Sequence, residues 1–378
     1  MTNFSLTMLK KPLITALINT YNHARFIEQA IVSVLEEDLS PSEIEIIVVD
    51  DGSTDRTPEI AGEFGPRVRL IRKKNGGQAS AFNVAIPEAN AEYVAFLDGD
   101  DWWAKGKVKA VLEAFEKYPG IAAVGHGYFE VHDDSPPTEM LVSSRPLMLD
   151  LSSTEAARIA DPGRMLLGTS RLSVRREVLR RVGPIPIELV FSADTPIYSL
   201  ALALGGALIL DQPLCYYRLH AGNLSKHGPE DKLAQSRNYK LLSFLLTLLP
   251  QRLTELGVPR EIIAAFLESD RIELERFQLQ CDKGGRWKTL RTEMQAFHSS
   301  YKGATAGYKM FRGFLGAMAL LLGPQLFYDL RNWYAKQGNL QRLRGVLGKA
   351  EPTVPPALFR RLPVSGKTRE NLRLVQED

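Results

Sequence analysis

Cysteine is close to absent from this chain. Cys215 and Cys281 are the only two in 378 residues, too few for a disulfide framework and wrongly spaced for a zinc site, which leaves a reducing compartment as the fitting one. Long apolar runs are missing as well. The best candidate, Phe314 to Leu322, is about half of the roughly 18 to 20 residues that a bilayer crossing requires. The opening MTNFSLTMLKK carries no apolar stretch of the kind that marks a signal peptide, so the expectation is a cytoplasmic chain. Neither an internal repeat nor a low-complexity tract is visible. A strong charge of one sign is also lacking: the formal net charge is +3, and 44% hydrophobic with 24% charged residues is the balance of a globular protein. The length suits one large domain with an extension, or two domains.

What is present falls into a pattern of alternating strand and helix. LITALI (13–18) is a short apolar run ending in NTYN (19–22), and residues 23–37 carry Phe26, Ala30, Ile31 and Val34 at helical spacing. EIIVV (45–49) reads as a second strand closed by DDGSTD (50–55), after which Ser53 or Thr54 can cap a helix with Pro58 near its start. A third strand is expected at 68–71, a helix at 78–86, a fourth strand at 93–97, a helix at 105–118 and a strand at 122–131. Residues 133–150 read as loop, 188–205 as a loop running into a helix, and 207–210 with 214–219 as two short strands. From 232 to 280 the pattern is helical, broken near Pro250 and at Gly257 to Pro259. Alternation of this kind implies right-handed crossovers and a mainly parallel sheet, with ligands gathering outside the carboxyl ends of the strands.

The chemically useful residues fall at three such ends: Thr20, Tyr21 and Asn22; Asp50 and Asp51; and Asp98, Gly99 and Asp100. The last group belongs to FLDGDDWW (96–103), where three carboxylates within four residues demand compensation. A hard divalent cation is one answer, since Mg²⁺ takes one or two carboxylates and completes its shell with water and phosphate. A solvated acidic turn favouring a helix dipole is the other. NGGQASAFN (75–83) opens a helix, where glycines allow close backbone approach and a helix N-terminus favours phosphate, although an ordinary turn would look the same.

Taken together and in order, PLITALINTYN, IIVVDDGSTD, NGGQASAFNVAI, YVAFLDGDDWW, SADTPIYSLALALGG and PLCYYRLHAGNLS resemble a family 2 glycosyltransferase of GT-A fold, over about 12–225. The resemblance implies an α/β, Rossmann-like catalytic domain and inverting transfer from a nucleotide-diphosphate sugar, a UDP-sugar foremost, with Mn²⁺ or Mg²⁺. Thr20, Tyr21, Asn22, Asp50 and Asp51 would hold base and ribose; Asn75, Gly77 and Gln78 would line the donor pocket. Asp98 with Gly99 would face ribose or metal, and Asp100 would coordinate the metal. The general base that such transfer needs would be Asp194. The Glu that usually precedes it in the family is Ala193 here, which puts acceptor orientation in doubt, and Asp194 before Thr195 and Pro196 could equally start a helix. Arg218, His220 and Asn223 match a segment closing over the diphosphate, where a cation or imidazole can stabilise the leaving group; His220 could alternatively bind metal. His23, His126 and His132 read as structural or solvated, and Trp102 and Trp103 as residues that pack or shape the sugar site, at least one of them core.

Charge at the far end is one-sided. Between Gly285 and Lys349 eleven Lys or Arg stand against Glu293 and Asp329, a net +9 that leaves the remainder at −6. No nucleic-acid-binding motif accompanies it, so nucleic acid is not an expected partner. Leu326, Phe327, Leu330, Trp333 and Tyr334 fall on one helical face, which suits in-plane contact with the inner membrane through 303–345, or a buried helix pair. The expected organisation is a catalytic domain over 1–228, a helical extension over 229–300, basic amphipathic helices over 301–350 and a tail over 351–378. The acceptor would be a saccharide or lipid-linked glycan in cell-surface polysaccharide or glycolipid assembly. Two rivals are a nucleotidyltransferase, which would more naturally carry a basic Gly-rich loop after the first strand, and a non-catalytic nucleotide-sugar binder.

Overall fold

Continuous apolar runs become strands buried on both faces, as parallel sheets covered by helices require. A computed structural model describes residues 11–133, 135–223, 232–281, 285–300, 306–336 and 358–364. Among these, one sheet contains β1 (Ile14–Thr20), β2 (Ile44–Asp50), β3 (Arg69–Arg72), β4 (Tyr93–Asp98), β5 (Trp102–Trp103), β6 (Ala123–His132), β7 (Glu139–Ser143), β8 (Leu147–Leu149), β9 (Ser173–Arg175), β10 (Ala207–Leu219) and β11 (Phe359–Pro363). Its main path runs β11-β7-β6-β9-β4-β1-β2-β3, with β10 pairing β5, β6 and β8. The stretch β4-β1-β2-β3 is parallel throughout, whereas β9 lies antiparallel between β4 and β6.

The helices that precede β10 along the chain are α1 (Ile27–Leu35), α2 (Thr57–Glu63), α3 (Gly77–Ala85), α4 (Lys107–Lys117), α5 (Thr154–Gly163), α6 (Arg176–Val182) and α7 (Asp194–Leu204). Ile27, Ala30, Ile31 and Val34 of α1 are buried on one face. The start of α4 is capped from a distance: the buried Glu37 accepts the N–H groups of Gly106 (3.1 Å) and Val108 (3.3 Å). Burial pushes the Glu37 carboxyl up to about 7.

Several elements depart from the sequence expectations. Residues expected as loop contain β7 and β8. The two short strands expected over 207–219 are one strand, β10, whose register against β6 shifts on either side of Pro213. A proline cannot donate to the ladder, so the strand bulges there and continues. β11 comes from the expected tail and pairs antiparallel with β7, Phe359 opposite Ser143.

The chain divides into two compact units, Met1–Asp150 with Gly163–Asn223 and Phe359–Asp378, and Leu151–Pro162 with Leu224–Leu358. The second contains α8 (Lys232–Glu255), α9 (Arg260–Phe266), α10 (Glu268–Cys281), α11 (Arg286–Ser300), α12 (Ala306–Leu322) and α13 (Pro324–Lys336). Pro250 does not break α8: Leu245, Leu249 and Leu253 are all buried along one face, and that packing carries the helix through the missing hydrogen bond. Leu279, Ala319, Phe327 and Tyr328 form an apolar cluster. Beside it the buried Glu293 pairs with Arg276 Nε at 2.9 Å and Arg331 Nη1 at 3.4 Å. The apolar face expected on α13 is therefore split: Phe327 points into this core, whereas Leu326 and Leu330 are exposed. Trp333 and Tyr334, like 303–305 and 337–345, lie outside what is described for side chains.

Candidate active site

Register places the acidic strand ends side by side. Thr20 is paired with Asp50 across β1 and β2, and Asn19 with Asp98 across β1 and β4. The ladder continues one step further, Asp51 N donating to Thr20 O and Gly99 N to Asn19 O, each at 2.9 Å. Gly99 is required there, because a Cβ would sit 2.7 Å from Thr20 Oγ1. Three buried polar atoms at this rim, Asn19 Oδ1, Thr20 Oγ1 and His23 Nδ1, have no hydrogen-bond partner, and Asp50 Oδ2 makes no hydrogen bond but is ion-paired with Arg72. Buried polar groups are normally satisfied, so a cluster of unsatisfied ones at strand ends marks a place for a polar ligand.

The three neighbouring acids are compensated differently. Asp98 Oδ1 accepts from Asn19 Nδ2 (2.9 Å) and Gln78 Nε2 (3.0 Å). Burial, then the charges of Asp100 and Asp101, hold its pKa well above the usual range. Asp100 Oδ2 lies 3.0 Å from His220 Nε2, 3.4 Å from Asn223 Nδ2 and 3.9 Å from His23 Nε2. Burial alone would raise Asp100, but the His220 hydrogen bond and the nearby histidines keep it low. Since His220 Nδ1 accepts Gly222 N at 3.2 Å, Nε2 carries the proton that faces Asp100. Asp101 is buried and accepts Arg218 N at 2.8 Å; burial and Asp100 push it up to about 7.

Arg218 is a buried brace. Its guanidinium lies over Phe26 (4.5 Å) and Trp102 (4.6 Å), with Nε donating to Asp100 O (2.9 Å), Nη1 to Asp133 O (2.8 Å) and Nη2 to Gln29. These bonds engage three of the five guanidinium N–H donors. Trp102 and Trp103 are both core residues.

On the other side of the rim, Asp51 accepts Gly76 N (3.1 Å) and Gly77 N (2.7 Å) at the start of α3 and pairs with Lys73. Gly77 has φ +83°, and a Cβ there would meet Val190 Cα at 2.6 Å, so no larger residue fits. Asn22, with φ 57°, ties the first strand end to the second by accepting Thr54 N at 2.8 Å and donating its own N–H to Ser53 Oγ. Tyr21 and Asn75 are exposed. Asp50 lies buried, 3.5 Å from Arg72 Nε.

Asp194 is the first residue of α7, yet its carboxylate does not cap that helix. Oδ2 instead accepts Thr169 N at 2.7 Å and Thr169 Oγ1 at 3.0 Å. Burial raises its pKa, tempered by those two bonds. Gln78 completes the connection: Nε2 donates to Thr169 Oγ1 (3.1 Å) as well as to Asp98, and Oε1 accepts Ala193 N (2.9 Å). Asp98 and Asp194 thus belong to one hydrogen-bonded site.

Residues 15–183 match the sequence profile described as "Glycosyl transferase family 2". The match takes in less than half of the chain, and over this region the chain is similar to that family. An uncharacterized glycosyltransferase of Nostoc sp. is 33% identical over 225 residues, 56% of this chain and 66% of that one. The chondroitin synthase of Pasteurella multocida is 36% identical over 116 residues, 30% of this chain and 12% of the synthase. The chain spans less than two thirds of the length of either. Among solved structures, S. aureus TarS 1-349 in complex with UDP-GlcNAc superposes with a TM-score of 0.51 at 18% identity, covering 86% of this chain and 92% of that one, which shows the shared GT-A type fold.

The sequence alone reads His23 as structural or solvated and does not single out the turn Thr169–Arg171. His23 lies 3.9 Å from Asp100, and burial lowers its pKa. Ser170 Oγ accepts Asp98 N at 3.1 Å, and Arg171 lies 4.6 Å from the Tyr128 ring centre. A Thr-Ser-Arg tripeptide carries no signal of its own, so only the folded chain reveals it. No group of three or more His, Cys, Asp or Glu side chains among the described residues makes a ready metal cage. The donor set still fits a hard cation held by one or two carboxylates and completed by water and phosphate oxygens.

Proposed function

We propose that this chain catalyses metal-dependent, inverting transfer of a hexose from a nucleoside diphosphate to an acceptor hydroxyl. The observation that carries the proposal is the link from Asp98 through Gln78 and Thr169 to Asp194. It sets an acid cluster suited to the donor beside a carboxylate suited to a base. Asp194, its affinity for protons raised by burial, takes the proton of the acceptor hydroxyl. The oxygen attacks the anomeric carbon opposite the diphosphate, and the carbon–oxygen bond to the diphosphate breaks with its electron pair. A single displacement inverts the centre.

Asp98 and Asp100 would hold Mn²⁺ or Mg²⁺, with His220 beside Asp100. When bound, that ion offsets charge on the departing diphosphate. The unpartnered atoms of Asn19 and Thr20, together with the Asp50 carboxylate, serve the nucleoside, His220 orients Asp100, and Arg218 positions the Asp100–Asp101 turn from beneath. TarS was crystallised with UDP-GlcNAc, which makes UDP-sugars the first donors to test. The acceptor is a saccharide or lipid-linked glycan of a surface polysaccharide or glycolipid, a reading supported by the similarity to a chondroitin synthase. No helix among the described residues is long and apolar enough to cross a membrane. The exposed apolar side of α12 supports peripheral contact with a membrane instead.

The test is release of nucleoside diphosphate from a panel of nucleotide-sugars with saccharide acceptors. Release that requires a divalent cation is expected. Donor binding without turnover on any acceptor would favour the non-catalytic binder.

A further inference from the structure

We propose that Thr169 and Gln78 are positioning residues that aim Asp194 and tie it to the donor side of the site; the importance of that aim rests on the reading of Asp194 as the base. The argument is one of hydrogen-bond direction. Ala193 N–H can only donate, so the Gln78 oxygen must face it, at 2.9 Å. The Gln78 amide nitrogen is thereby turned to the opposite side, where its two hydrogens meet two acceptors, Asp98 Oδ1 at 3.0 Å and Thr169 Oγ1 at 3.1 Å. Thr169 Oγ1 has a single hydrogen. Because it accepts from Gln78, that hydrogen is directed onto Asp194 Oδ2 at 3.0 Å, beside the Thr169 N–H at 2.7 Å. The chain of donors Gln78 to Thr169 to Asp194 therefore has one orientation.

Two bonds on Oδ2 fix the plane of the carboxylate and leave Oδ1 as the oxygen to receive a proton. The same glutamine holds Asp98, so movement at the donor-side carboxylate is transmitted to the residue preceding the base and to the threonine that aims it. In place of the Glu absent before Asp194, the chain has Ala193, whose backbone N–H anchors the glutamine. The charged groups facing Asp194 are Arg171, on the same turn as Thr169, and Asp98 at the end of β4.

The test uses the full chain without ligand. Aspartate carboxyl carbons are labelled with ¹³C, Asp194 is assigned by its loss in Asp194→Asn, and its titration is followed by NMR. Thr169→Val keeps shape and the backbone bond but removes the hydroxyl donor, and is expected to move the Asp194 midpoint upward by about one pH unit, because a bond to the charged form is lost. Thr169→Ser retains the hydroxyl and is expected to titrate as the wild type. Gln78→Leu frees the hydroxyl to rotate and is expected to shift the midpoint in the same direction by less. An unchanged midpoint in Thr169→Val, or a serine variant shifted as far as the valine one, would overturn the proposal. Full transferase activity in Asp194→Asn would defeat the base reading alone and leave this titration standing.

Discussion

Asp98, Asp100 and Asp101 sit within four residues of one another, and each is stabilised by a different neighbour: two side-chain amides, an imidazole, and a backbone N–H. Motif spacing in the sequence revealed the crowding but not this division of labour, because His220 and Arg218 arrive from β10 and the loop after it, more than a hundred residues away. Asp194 was legible for a different reason. Its place at a helix head is a local feature, yet Thr169, the partner that turns its carboxylate away from capping that helix, is brought by an unremarkable turn. Asp194→Asn should keep the hydrogen-bonded geometry and lower kcat by about 10²- to 10⁴-fold, the usual worth of a general base. In the wild type, kcat/KM should fall as pH drops through the Asp194 pKa, with that acidic limb above the ordinary aspartate value of 3.8. Steady-state rates over a pH series check both; a variant of unimpaired kcat would remove Asp194 from the chemistry.

At the scale of elements, β1, β2 and β4 could be read directly, since strands buried on both faces keep uninterrupted apolar runs, and the half-buried β3 from Val68, Leu70 and Ile71. β7, β8 and β11 could not. They are short, and β11 is defined by pairing with a strand more than two hundred residues earlier, which no local pattern encodes. The capping of α4 by Glu37 is another distant contact, and it has a pH signature. Glu37 keeps its proton up to about 7 in the folded chain but only to its ordinary 4.5 when unfolded. The folded state therefore binds the extra proton between those values. The stabilisation is full below 4.5 and is lost as pH rises through about 7, by up to about 3 kcal/mol. Urea midpoints at about pH 5 and about pH 8 should differ in the wild type by more than in Glu37→Gln, which keeps an acceptor for α4 but does not titrate. Equal pH slopes in the two proteins would show that Glu37 is not the group responsible.

For the whole molecule, composition announced a basic end but not which surface it offers. On α12, Met310 (76% exposed), Phe314 (60%) and Leu321 (70%) recur at helical spacing on the side opposite the buried Ala319. Arg286, Lys288 and Arg291 are exposed on α11. An apolar face in a segment of net positive charge suits an anionic lipid surface. Phe314→Asp with Leu321→Asp should abolish co-sedimentation with vesicles containing anionic lipid, while vesicles of neutral lipid should bind neither protein well. Undiminished sedimentation of the double variant would argue against this face.

The central claim is that the ends of β1, β2 and β4 form a donor site completed by a divalent cation. It is tested most directly by thermal unfolding with a panel of UDP-, GDP- and dTDP-sugars, with and without Mn²⁺, on the wild type and Asp100→Ala. A ligand that binds only the folded state raises the melting temperature, by a few degrees at a concentration on the order of a hundred times Kd. The predicted result is a rise with one nucleotide class that needs Mn²⁺ and disappears in Asp100→Ala. A rise of equal size in the variant, or one indifferent to the cation, would contradict the account.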